Sequence, residues 1–268
     1  MGGSDEPTRE QLGRRLERER RARQSAEAVA EEATSRLYTT LEELKSLNDS
    51  MRDFVAIAAH DLRSPLAAVS GFAGLLSESW DDLDDEARRD MARRIESSSQ
   101  SIVRLAEDLL TVSRIEAGAL DTKKQVIDLA TAITDATENF RDHASEIKIV
   151  VDAGLRIEAD PVHLERIVAN FVGNAFKYGE PPVEIEASAC DGWAEIRIKD
   201  HGEGVPKDFV PRLFGRFARA AASAQIRPGT GLGLSIVRGL AQANGGEVWY
   251  EPNEPNGSCF ALRLPRAA

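Results

Sequence analysis

From Leu41 to Leu76 apolar side chains return mostly three or four residues apart: Leu41, Leu44, Met51, Val55, Ala58, Leu62, Leu66, Val69, Ala73 and Leu76. A seam that holds this spacing fits long helices packed against other helices. Upstream it runs through Leu12, Leu16, Ala26, Ala30, Ala33 and Leu37, with one extra residue between Leu37 and Leu41. That is a heptad pattern with a stutter. The early part is rich in alanine and carries Glu19 and Arg23, so residues 8–33 read either as a marginal coiled coil or as a solvated single helix. The seam stops in SESWDDLDDE, and a second stripe follows at Met91, Ile95, Ile102, Leu105, Leu109 and Val112, ending near Gly118. A lone hairpin leaves its stripes uncovered. A homodimer closing a four-helix bundle is the economical solution.

No apolar run approaches the roughly 18–20 residues that cross a bilayer, and MGGSDEPTRE lacks a signal peptide's apolar stretch. The expectation is a soluble cytoplasmic chain without direct membrane contact, any membrane sensor lying elsewhere. A net charge of −11, from 34 basic and 45 acidic residues, argues against a nucleic-acid partner. Cys190 and Cys259 both fall in strand-like runs and read as two buried small hydrophobes rather than a disulfide.

Beyond Lys123 the pattern changes. Short β-type runs (QVIDL, IKIVVD, LRIEAD, PVEIEASA, WAEIRIKD, GEVWYE, CFALRL) alternate with helical stretches near 129–143, 160–178 and 231–244. Asp191-Gly192 is a hairpin signal. The predicted fold class is therefore a helical part, coiled coil and hairpin, followed by an α/β sandwich with a mixed sheet. The predicted domains are a signal helix over 1–50, a hairpin over 51–119 and an α/β domain over 123–266.

His60 lies two positions from both Ala58 and Leu62 of the seam, which at about 100° per residue turns it about 200° away, toward solvent. Asp61 beside it can hold one imidazole nitrogen and leave the other as a nucleophile. Pro65 removes the helical bond to the Asp61 carbonyl and gives that turn freedom to bend. An exposed histidine alone is usually only a surface residue. Its acidic neighbour, the proline and the bundle setting reverse that reading.

In the α/β part, Asn170, Asn174 and Lys177 fall on one helix face, with Tyr178 adjacent. Two amides and a lysine suit a hydrated Mg²⁺ and phosphate oxygens. DHGEGVP follows, with Asp200 closing a strand where it can accept from an exocyclic amine, and with Gly202 and Gly204 permitting a tight turn. PGTGLGLSIV then places Gly229, Gly231 and Gly233 before a helix whose N-terminus can receive phosphate. GTGLGL alone could be a dinucleotide fingerprint, and DHGEGVP alone a plain loop. The three in this order are specific.

These segments resemble the boxes of sensor histidine kinases: HDLRSPL the H-box, NFVGNAFKY the N-box, DHGEGVP the G1 box, LFGRF the F-box and GTGLGL the G2 box. The likeness covers about residues 50–266. It implies a dimerisation and phosphotransfer hairpin followed by a Bergerat-type ATP-binding domain. By that likeness His60 is phosphorylated and Asp61 assists as base. Asn174 binds Mg²⁺ with Asn170 beside it, Lys177 and Tyr178 contact phosphate and nucleoside, and Asp200 reads the adenine amine. Gly202 and Gly204 shape the pocket, Gly229, Gly231 and Gly233 line the phosphates, and Arg219 is the lid arginine that approaches the γ-phosphate. The implied cofactors are ATP and Mg²⁺, and the implied partner is the receiver domain of a response regulator. Gly215 and Ala218 depart from the pattern, and the lid ARAAASAQIRPG is expected to be mobile without nucleotide. Ser64 replaces the commoner threonine or asparagine, which implies weak phosphatase activity. The leading reading is thus an autophosphorylating kinase. A dimeric scaffold that has lost catalysis and a conformational ATPase are the alternatives.

Overall fold

The computed structural model describes residues 9–216, 218 and 230–267. Arg219, Gly229 and the mobility expected of the lid lie outside the described residues, as do the side chains of Leu12, Leu16, Ala26, Ala30 and Met51. The chain divides into two units, 1–57 and 58–268.

The first unit is helical from Arg9, within helix α1 (Arg9–Glu78). Its seam side chains Leu37, Leu41, Leu44 and Val55 are exposed in the single chain. Glu32 and Arg36, one turn apart, pair at 2.6 Å.

In the second unit the end of α1 and helix α2 (Asp85–Glu116) form the expected hairpin, and α1 remains helical through Pro65. A short 3-10 turn at Trp80–Asp82 joins them. Asp84 caps α2 by accepting from the Ala87 amide at 2.7 Å, and Arg88 reaches back to donate to the Trp80 carbonyl. Ala58, Leu105 and Val112 are buried, while Leu66, Leu75, Val103 and Leu110 remain exposed. Gly118, at φ +60, terminates α2 where an L side chain would be strained.

The α/β part holds β1 (Gln125–Asp128), α3 (Leu129–Thr137), β2 (Ile147–Val151), β3 (Arg156–Ala159), α4 (Pro161–Tyr178), β4 (Val183–Cys190), β5 (Trp193–Lys199), α5 (Gly233–Ala243), β6 (Glu247–Pro252) and β7 (Ser258–Pro265). Five strands make a mixed sheet in the order β2-β4-β5-β7-β6, parallel only between β2 and β4, and β1 pairs with β3 separately. Strand alternation turns Val183, Ile185, Ala194, Ile196 and Ile198 inward. They meet the apolar stripes of α4 and α5, where Phe171, Val172, Ile236 and Leu240 are at most 1% exposed. Asp191 (φ 42) and Gly192 (φ 84) make the predicted hairpin turn.

Two expectations are corrected here. The helix predicted over 129–143 stops at Thr137, and 138–146 continue as 3-10 turns broken at Phe140 and His143. Both rings instead stack on Phe176 of α4, at 5.9 and 4.6 Å. Cys190 is exposed rather than buried. It shares strand parity with Glu184 and Glu186, whereas Val183, Ile185 and Ala187 face the core. Cys259 is buried, and burial pushes its thiol up to about 11.

A buried polar knot that periodicity does not reveal ties three segments together. Asp160 caps α4 and accepts from the Val162 and His163 amides, and its other oxygen accepts from the Lys123 amide at 2.7 Å. Burial alone would raise this carboxyl, but those N–H bonds hold it below its ordinary value. Asn244, just beyond α5, accepts from the Asp160 amide and donates to His163 Nδ1 at 3.1 Å. His163 is correspondingly kept neutral, its pKa lowered by burial.

Candidate functional site

His60 stands on α1 with its side chain 79% exposed, and its Nδ1 lies 3.2 Å from Asp61 Oδ1. An ionised carboxylate only accepts, so Nδ1 carries the proton and Nε2 keeps its lone pair outward. Ser64, one turn on, is exposed as well.

On α4, Asn174 Nδ2 donates to Asn170 Oδ1 at 3.1 Å. That bond uses the amide N–H of Asn174 and leaves its carbonyl oxygen as the hard donor such a position offers a divalent cation. Lys177 Nζ sits 5.0 Å from the ring centre of Tyr178. Helix α5 begins against this face: a Cβ on Gly233 would fall 2.5 Å from Asn170 Nδ2. Glycine there lets the helix N-terminus approach the amide pair without displacing the Asn170 side chain.

Asp200, 3% exposed, ends the run of β5. Its Oδ1 accepts from the amides of Gly202 and Ser258 at 3.0 and 3.1 Å. Burial raises this carboxyl and the two N–H bonds oppose the rise, with burial prevailing. Gly202 is packed against backbone: a Cβ would lie 2.6 Å from Gly179 Cα and 3.2 Å from the Tyr178 carbonyl oxygen. Gly204 (φ +76) and Gly231 (φ +67) occupy left-handed backbone.

One cavity of about 1000 Å³ joins these groups. Asn170, Asn174, Lys177, Tyr178 and Asp200 line it, with Gly204, Gly231 and Gly233 at its glycine turns. His60, Asp61 and Ser64 line it from the hairpin side. Gly202 lies behind the wall, shaping it through Gly179 and Tyr178.

Two family models match the chain: "His Kinase A (phospho-acceptor) domain" over 50–118 and "Histidine kinase-, DNA gyrase B-, and HSP90-like ATPase" over 159–268. Together they cover about two thirds of it. The chain belongs to the sensor histidine kinase family.

Among histidine kinases it is 32% identical over 247 residues to the signal transduction histidine-protein kinase AfsQ2 of Streptomyces coelicolor, covering 87% of this chain and 45% of that protein. It is 34% identical over 243 residues to the sensor histidine kinase MtrB of Mycobacterium tuberculosis, covering 87% and 42%. The chain thus spans less than half the length of these relatives. A solved structure of full-length ShkA in complex with AMPPNP matches at a TM-score of 0.58 and 31% identity, covering 80% of this chain and 45% of that one. No described helix is long and apolar enough to cross a membrane.

Several residues that build this histidine kinase pocket escape sequence reasoning. Gly179 reads as a helix stop, yet a Cβ there would fall 2.3 Å from the Asp200 carboxyl carbon. Gly257 (φ +127) lies against the Asp200 carbonyl, and Asn253 Nδ2 donates to that same oxygen at 2.9 Å. They sit 50 or more positions from Asp200, so only the pairing of β5 with β7 brings them near. Their signal was the Asn-Gly character of NEPNGS, which marks a turn and nothing more.

Proposed function

We propose that this chain is an ATP-dependent protein histidine kinase that phosphorylates His60 and passes the phosphoryl group to an aspartate on a response regulator receiver domain. The observation that carries the reading is the shared cavity. A nucleophile with a fixed tautomer faces the same space as two amides, a lysine and a helix N-terminus suited to phosphate. Asp61 holds the proton at Nδ1 and stabilises the charge that develops on the ring. Asn174, supported by Asn170, would hold Mg²⁺, which neutralises phosphate charge when bound. Lys177 and Tyr178 serve phosphate and nucleoside, and Asp200 accepts from the adenine amine. Gly231 and Gly233 leave room for phosphate, Gly202 and Gly204 shape the turn beside it, and Arg219 and Gly229 complete the set by family likeness.

We divide the chain into a signal helix over 1–50, the phospho-acceptor hairpin over 51–119 and the ATP-binding domain over 123–266. The exposed Leu66, Leu75, Val103 and Leu110 favour a homodimer closing the bundle. A cytoplasmic location fits the ATP requirement. Incubation with γ-labelled ATP and Mg²⁺ tests the function. Acid-labile, base-stable label supports a kinase, free phosphate alone an ATPase, and neither a scaffold.

Asp200 gives the nucleotide site a pH dependence. Its raised pKa means the free protein takes up the proton at a higher pH than an ordinary aspartate. Nucleotide affinity is therefore full near neutrality and falls as pH drops, beginning at a higher pH than an ordinary aspartate would set. Asp200→Asn should weaken binding by roughly 10-fold or more and flatten this profile. Titrations of a fluorescent ATP analogue across pH check both.

Ser64 governs the reverse reaction. It can position a water against phospho-aspartate, but without threonine's branched Cβ it holds that water loosely. Phosphatase activity is accordingly weak. Ser64→Thr should speed dephosphorylation of the purified phospho-regulator and Ser64→Ala should abolish it. Equal rates in all three proteins would remove Ser64 from the reaction.

A further inference from the structure

We infer that phosphoryl transfer runs in cis: the ATP-binding domain of each chain phosphorylates His60 of that same chain. The inference rests on the kinase reading above and specifies which histidine is the acceptor. The cavity is built from a single chain, with His60, Asp61 and Ser64 on one wall and Asn170, Asn174 and Lys177 on another. Helix α2 supplies the wall between them through Ser97, Ser101, Arg104, Leu105 and Asp108. No second copy is needed to bring acceptor and nucleotide groups into one space.

The domain is also fastened to its own hairpin. Arg166 of α4 donates to Asp108 Oδ1 at 2.6 Å and to Thr111 Oγ1 at 2.8 Å. This two-pronged contact fixes orientation as well as proximity. Asp108 is partly buried there, which raises its carboxyl despite the arginine. Arg216 pairs with Glu116, and Ile115 packs so closely on Gly239 of α5 that a Cβ there would fall 2.6 Å away. These contacts run along one side of α2 from Asp108 to Glu116. They hold the nucleotide pocket toward the α1 face of the same hairpin.

In the transfer, the lone pair of His60 Nε2 forms the new N–P bond to the γ-phosphorus. The bond from that phosphorus to the β,γ-bridging oxygen breaks, and ADP leaves with its electron pair. The Nδ1 proton is shared with Asp61 and then released to solvent, leaving a neutral imidazole ring that carries the anionic phosphoryl group on the chain that bound the ATP.

Mixed dimers decide the matter. A full-length wild-type chain and an Asn174→Ala chain, carrying different affinity tags and different sizes, are co-expressed, purified through both tags and given γ-labelled ATP. Transfer in cis labels the wild-type chain alone. Label on the Asn174→Ala chain would overturn it. The reciprocal pairing of His60→Gln with Asn174→Ala should stay unlabelled, whereas transfer between chains would label the latter. If the protein proves monomeric, the initial labelling rate per chain at saturating Mg·ATP should not change with protein concentration, and a rate rising in proportion to it would overturn the inference. An unlabelled wild-type homodimer would instead defeat the kinase reading, so the two failures are distinguishable.

Discussion

Replacing His60 by glutamine is expected to remove acid-labile label, a fall of more than about a thousandfold, because an amide offers no nucleophilic nitrogen to phosphorus. Nucleotide affinity should stay within about twofold, or about 0.4 kcal/mol. The separation follows from placement: His60 projects from α1, 79% exposed, and its side chain meets its neighbour Asp61. The residues proposed to hold adenine and phosphate lie instead on α4, on α5 and at the end of β5. Persistent label on the glutamine variant, mapped to another residue, would end the assignment of His60. A loss of ATP binding in parallel with label would mean that His60 is part of the nucleotide pocket rather than its target.

The second large effect belongs to Gly202, which touches no phosphate in this reading. A Cβ there would meet the backbone of Gly179 and Tyr178, not the tip of a flexible side chain. Gly202→Val must therefore push the end of α4, with Lys177 and Tyr178, away from the cavity. It also strains the turn whose amide donates to Asp200. Overpacking of this kind costs about 1–3 kcal/mol, which corresponds to roughly 5- to 150-fold weaker ATP binding. Circular dichroism and the sedimentation coefficient should remain unchanged, since the clash falls on Gly179 and Tyr178 and not on the helical hairpin. A valine variant that binds ATP normally would show that the G1 turn has slack that the packing does not display.

How far the sequence could be read depended on the range of each signal. The helical hairpin was legible because its stripes are local, and the β4–β5 pairing because Asp191-Gly192 states its own turn. His60 was legible as an outward residue since helical phase alone sets its direction. Asn170, Asn174 and Lys177 were likewise placed by helical phase. Cys190 departs from its expected burial because a strand-like run does not fix parity: one residue's shift in an alternating strand changes the face. The 129–143 helix was overextended because the rings of Phe140 and His143 are claimed by Phe176, more than thirty residues away. Gly179 and Gly257 owe their roles to Asp200, a partner that only the folded sheet and helix bring near. The Asp160–His163–Asn244 knot was invisible for the same reason.

That knot sets the length of a leash. Helix α2 is finished by the bond from the Ala119 amide to the Arg114 carbonyl, and the chain is caught again where the Lys123 amide meets Asp160. Only Leu120, Asp121 and Thr122 lie between these two anchorages. Four residue steps reach about 13–14 Å at full extension. An ATP-binding domain on so short a tether can pivot about the foot of its hairpin but cannot roam. Its effective concentration near one histidine is thus written into three residues that carry no chemistry of their own.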